Sequence, residues 1–136
     1  MDIEQPWFAV DCVVFDPSGK LLLIRRKNPP FQGQYALPGG FINYGETTEQ
    51  AAARELSEET GLRAIRLSLI GVYSEPNRDP RRHVVSIAYL ATVEEYKPVP
   101  GDDATHAEFV EGWHDQKLAF DHNIIVDDAR ALLLRK

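Results

Sequence analysis

Residues Thr47 to Gly61 spell out a helix with both ends marked, and that helix carries an acidic face that folding alone does not justify. Thr47 supplies an N-cap hydroxyl, Gln50 three residues later completes a capping box, and Gly61 is placed to close the last turn. With about 3.6 residues per turn, positions i, i+3 and i+4 share a face, so Glu55, Glu58 and Glu59 are expected to project together. Like charges so placed weaken an isolated helix by roughly 0.2–0.5 kcal/mol per pair. A bound cation supplies a reason to keep them. Ala52, Ala53, Leu56 and Thr60 form a small-residue face on the other side, suited to packing on a sheet, and Ala51 is expected under the carboxylates, where bulk would block a metal. Arg54, four residues before Glu58, is placed to hold that carboxylate in one rotamer.

The segments around the helix read mainly as strands. A strand over 7–15, a turn at Asp16-Pro-Ser-Gly19 and a returning strand over 20–26 predict a hairpin. A loop over 28–33 and a short strand over 35–37 lead to Pro38-Gly-Gly40, expected as a turn whose glycines let backbone approach a ligand. Two strands rich in β-branched residues follow, over 63–74 and 83–93, then a loop over 98–103 and a strand over 106–113. A final helix is expected over 121–134, with Ile124, Ile125, Ala129, Leu132 and Leu133 as its apolar side. This order is neither a regular βαβ alternation nor all-β, which predicts a mixed sheet with helices on its faces.

Composition narrows the partners. The chain of 136 residues, 43% hydrophobic, is expected to form one domain over 1–136. Its formal net charge of −6 argues against a general nucleic-acid binder, because affinity for phosphate backbones comes mainly from basic surface. The single cysteine, Cys12, excludes an internal disulfide and lies in an apolar run, which predicts a buried strand residue. The four histidines show no metal spacing, and no stretch reads as a leader or a membrane span. A soluble, cytoplasmic protein without a membrane partner is expected.

The arrangement Gly40, Glu46, Arg54-Glu55-Leu56, Glu58-Glu59, Gly61-Leu62 matches the signature box of the Nudix hydrolases, and residues 40–62 resemble it at every specified position. Such a resemblance implies an α/β/α sandwich around a central mixed β-sheet. It implies hydrolysis of a nucleoside diphosphate linked to another group, with Mg²⁺ as cofactor and Mn²⁺ as a possible substitute. Glu55, Glu58 and Glu59 would ligate the ions, the Gly40 carbonyl would add an oxygen, and Glu46 would support the loop. Carboxylates are hard ligands that suit these ions, which commonly bind a few carboxylates, waters and substrate phosphates together. A homodimer is also an expectation of the resemblance.

Outside the box, residues 73–86 are similar to a loop of ADP-ribose pyrophosphatases, with Tyr73-Ser74, Arg78-Asp-Pro-Arg81 and Ser86, but Arg82 stands where those enzymes commonly have glycine. On the functional reading, Arg78 or Arg81 clamps a terminal ribose phosphate; on the plainer reading, the stretch is a solvated, proline-punctuated turn. Arg25, at the end of the second strand, is a phosphate-contact candidate or only a sheet flank, and Tyr35 is a base-stacking candidate or core. The general base is read as Asp103, with Asp102 and Glu108 near enough to compete, or as Glu58 itself. The expected activity is cleavage of ADP-ribose to AMP and ribose 5-phosphate. The alternatives are a hydrolase of oxidised or ordinary nucleoside triphosphates and a non-catalytic ADP-ribose-sensing module.

Overall fold

The computed structural model describes residues 4–101 and 104–135, whose strands divide between two sheets. The first is mixed and ordered β4-β1-β6-β5, from β1 (Trp7–Val13), β4 (Gly39–Phe41), β5 (Ala64–Tyr73) and β6 (Val84–Val93). In it, β1 runs parallel to β6 and antiparallel to β4, while β5 is antiparallel to β6. The second is antiparallel and ordered β3-β2-β7, from β2 (Leu21–Arg26), β3 (Tyr35–Ala36) and β7 (Ala104–Val110). Helix α1 (Thr48–Thr60) and helix α2 (His122–Leu134) complete the order, with a 3₁₀ turn at Trp113–Asp115 before α2.

The alternation along β1 explains the layering, since successive side chains of a strand point to opposite faces. Val10 and Cys12 join Leu22, Ala51, Ala52, Leu56, Leu62 and Tyr89 in the core under α1. Val13 joins Leu21, Leu23, Ala88, Leu118, Ile125, Val126 and Ala129 in the core under α2. The result is the α/β/α sandwich expected. Cys12 is fully buried, and its thiol pKa is pushed up by burial first and by the nearby Asp11 and Glu55 carboxylates second.

Four local expectations are corrected. The turn at residues 16–19 forms, with Asp16 Oδ1 accepting from the amides of Ser18 and Lys20, but its strands do not make a hairpin. Beyond the Phe15–Leu21 bridge they part, β1 to β4 and β6, β2 to β3 and β7. Gly39 and Gly40 lie in β4 opposite Asp11 and Val10, not in a turn. Ala51 belongs to the core under α1. In α2, Val126 replaces Ile124 on the buried side, leaving Ile124 57% exposed.

Helix α1 ends as its sequence predicts. Thr47 accepts from the Gln50 amide, the Gln50 side chain accepts from the Thr47 amide, and Gly61 takes a left-handed φ of 72° as its amide donates to Ser57 O. Leu56 is fully buried between this helix and the sheet. Leu56→Ala is expected to lower the unfolding free energy by about 2–5 kcal/mol in urea titrations; a loss under about 1 kcal/mol contradicts this packing. No helix among the described residues is long and apolar enough to cross a membrane.

Candidate active site

A cleft of about 430 Å³ opens where β4, the loop after β2, the loop before β6 and the start of α2 meet the acidic face of α1. Glu55 and Glu59 are buried side chains on one wall, next to Gly39, Gly40 and Phe41. Arg26, Asn28, Asp79, Arg81 and Phe120 also line it, and Asp11, Arg78 and His122 reach it from the interior.

The backbone at Gly40 abuts Glu55 so closely that a Cβ there would lie 2.5 Å from the carboxylate carbon. Only glycine permits that approach. Gly40→Ala is therefore expected to fold but to weaken divalent-ion binding by at least about tenfold, as read by Mn²⁺ titration; unchanged affinity contradicts the placement.

Arg54 organises the acidic face. Its Nε donates to Glu46 Oε2 at 2.6 Å, its second terminal nitrogen to Glu46 Oε1 at 2.9 Å and Phe41 O at 3.0 Å, and its first to Glu55 Oε1 at 2.7 Å. The contacts to Glu58 are longer, 3.3 and 3.4 Å. The predicted link to Glu58 exists, but the shorter bonds run to Glu46 and Glu55. Glu46 also accepts from the Asn43 amide, so the loop before α1 is tied to the helix. Its hydrogen bonds to Arg54 and to that amide hold the Glu46 carboxyl below the usual range, and Glu46 in turn leads the contacts that raise the Arg54 pKa.

Glu58 shares the helix but not the wall. Its side chain is 59% exposed and does not line the cleft. Glu58 instead meets the Arg54 nitrogen that also bonds Glu55, so of the three box glutamates Glu55 and Glu59 line the cleft and Glu58 does not. The donor set that does meet, two buried carboxylates beside the Gly40 backbone, suits a hard divalent cation whose remaining ligands are water and phosphate oxygens.

The residues expected around substrate divide. Arg81 lines the cleft, with its guanidinium 2.7 Å from Asp79 and 5.5 Å from the Phe41 ring centre. Arg78 reaches the cleft but is buried, gripping Asp121 at 2.6 and 2.8 Å, which makes it an internal strut instead of a free clamp. Arg25, Tyr35 and Glu108 gather outside the cleft lining. Arg25 lies 4.0 Å over the Tyr35 ring and donates to Gly33 O, and the Tyr35 hydroxyl donates to Glu108. That bond, ahead of burial, raises the Tyr35 pKa. Arg26, the neighbour of Arg25, faces the cleft with its guanidinium 5.0 Å from the Phe120 ring centre. Asp102 and Asp103 lie outside the described residues; Gly101 donates its amide to Glu59 O at 2.8 Å.

Sequence reasoning missed Asp11. It is 7% exposed, accepts from the Ser86 hydroxyl, and lies 3.4 Å from His122 Nε2 and 4.0 Å from Arg78. Burial raises its carboxyl pKa, but the His122 ring, the Ser86 hydroxyl and Arg78 together outweigh burial and hold it below the usual range. The available signal was one acid inside the apolar run from Trp7 to Phe15.

Known proteins resemble this chain in sequence and fold. The sequence model of the NUDIX domain matches residues 6–134. An ADP-ribose pyrophosphatase of Methanocaldococcus jannaschii is 51% identical over 124 residues, covering 91% of this chain and 73% of that enzyme. An ADPR-responsive transcriptional repressor of Acinetobacter baylyi is 33% identical over 144 residues, and the chain spans 57% of the repressor's length. Among solved structures, a MutT/nudix family protein of Enterococcus faecalis superposes with a TM-score of 0.90 at 33% identity, covering 100% of this chain and 65% of that one. The NUDIX domain of Shewanella oneidensis NrtR, solved with ADP ribose, superposes with a TM-score of 0.89 at 28% identity, covering 96% and 90%. With the box complete from Gly40 to Leu62 and the family matched over nearly its whole length, the chain belongs to the Nudix family.

Proposed function

We propose that this protein hydrolyses ADP-ribose to AMP and ribose 5-phosphate with Mg²⁺, for which Mn²⁺ substitutes. The observation that carries the reading is the cleft itself, which is lined by Glu55, Glu59 and Gly40 together with two arginines, Arg26 and Arg81. Glu55, Glu59 and Gly40, joined by Glu58 from its exposed position on the same helix, would hold the divalent ions. When bound, such ions neutralise the pyrophosphate and lower the pKa of an attacking water. The chain's own residues supply the geometry: Arg54 orients Glu55, Arg81 meets phosphate or ribose oxygens, and the Phe41 and Phe120 rings exclude water from the flanks. Glu58 is the base of this reading: its side chain is 59% exposed and its contacts to Arg54 are long, whereas Glu108 is engaged by Tyr35 at short distance and Asp103 lies outside the described residues. The 51% identity to an ADP-ribose pyrophosphatase supports the substrate.

A second reading, ADP-ribose sensing without cleavage, draws on the likeness to the Acinetobacter repressor and the ADP-ribose-bound NrtR domain. The intact set of Glu46, Arg54, Glu55, Glu58 and Glu59 favours hydrolysis. The test is initial rates on ADP-ribose and a nucleoside triphosphate panel with Mg²⁺. ADP-ribose is expected to be cleaved fastest, releasing AMP. Faster cleavage of every triphosphate contradicts the substrate, and tight ADP-ribose binding without AMP release favours the sensor.

A further inference from the structure

A buried polar chain that the proposed chemistry does not use runs from α2 to the strand carrying Gly40. His122, at the start of α2, is 4% exposed. Its Nδ1 accepts the Leu37 amide at 3.0 Å, so the ring proton belongs on Nε2, which faces Asp11 Oδ1 at 3.4 Å. Asp11 is held from its other side by the Ser86 hydroxyl and Arg78, and Arg78 by Asp121, the residue before His122. The ring therefore has one orientation and one tautomer.

What it grips is the segment leading to Gly40. After Leu37, Pro38 O accepts the Cys12 amide at 2.9 Å. Gly39 then passes so close to Asp11 that a Cβ there would lie 2.6 Å from Oδ1. Gly40 follows against Glu55. Three consecutive holds, His122 on Leu37, Cys12 on Pro38 and Asp11 alongside Gly39, thus set where the Gly40 backbone stands relative to the carboxylates.

We propose that His122, with Asp11, is a positioning residue for the divalent-ion site, acting through the Leu37–Gly40 backbone. This rests on the reading that Gly40, Glu55 and Glu59 hold the ions. Groups that orient metal ligands from behind typically change affinity by about 10–100-fold when removed.

The test separates positioning from mere packing by using two conservative variants. Asparagine places its side-chain oxygen where Nδ1 was and keeps an acceptor for Leu37; glutamine extends to the Nε2 position and keeps only the link to Asp11. Mn²⁺ affinity is measured by electron paramagnetic resonance without substrate, with melting temperatures and the half-saturating Mg²⁺ for hydrolysis alongside. His122→Ala and His122→Gln are expected to bind Mn²⁺ about tenfold more weakly, and His122→Asn within about threefold of wild type. If the alanine variant does not fold, the asparagine and glutamine pair carries the comparison. A folded His122→Gln with wild-type affinity, or a His122→Asn as weak as His122→Gln, overturns the proposal. Wild-type protein that binds no Mn²⁺ overturns the underlying ion-site reading instead, a separate result.

Discussion

Glu58→Gln is expected to lower kcat for ADP-ribose by about 10³-fold or more while leaving the melting temperature nearly unchanged. The separation of the two effects follows from where Glu58 stands. Its side chain is 59% exposed, it is absent from the buried core, and its contacts to Arg54 are long, so the fold gains little from its charge. Exposed ion pairs of this kind contribute marginally to stability. The amide keeps the shape but cannot take a proton from water or bind a cation strongly. Retained turnover at even a tenth of the wild-type rate removes Glu58 from both roles.

The second large effect concerns Arg54. Arg54→Lys keeps the charge but loses the fork that bonds Glu46 twice, Glu55 and Phe41 O at once. One ammonium cannot span those acceptors. Glu46 then releases the loop over 43–46, and Glu55 loses the contact that aims it beside Gly40. Activity is expected to fall by about 10–100-fold, with a raised Mg²⁺ requirement as the signature of misplaced ligands. The Mg²⁺ dependence of the rate is the measurement. A variant with lowered kcat and unchanged half-saturating Mg²⁺ contradicts an orienting role.

The helix was legible because its signals are local. The capping box joins Thr47 to Gln50, the C-cap joins Gly61 to Ser57, and one turn brings Glu55 within reach of Glu59, so spacing alone predicts them. The sheets were not legible to the same degree. Residues 16–19 turn because Asp16 bonds the Ser18 and Lys20 amides, yet the partners of the two strands, β6 and β7, lie far along the chain. Nothing in a turn says that its strands will part. Gly39 read as a turn residue, but it lacks a side chain because the Val10 carbonyl and Asp11 lie against it inside a strand pair.

The candidate site divided along the same line. The box residues were readable as a pattern, while the roles of Arg78 and Arg25 depended on partners no spacing reveals, Asp121 for the first and Tyr35 for the second. Asp11 makes the point most sharply. In the sequence it is one acid among apolar residues, and only the fold brings Ser86 and His122 to it. In α2, Ile124 and Val126 are both apolar but nearly opposite around the helix, and which faces the core is decided by how the helix is turned about its own axis where it packs on β1 and β5.

In the proposed site, Glu55 and Glu59, beside Gly40, grip divalent ions against a pyrophosphate. A crystal grown with Mn²⁺ and a non-hydrolysable ADP-ribose analogue tests it directly through the anomalous signal of manganese. Anomalous peaks are expected within coordination distance of both carboxylates and of the analogue's bridging phosphates. An analogue bound in the cleft with no manganese at those carboxylates contradicts it.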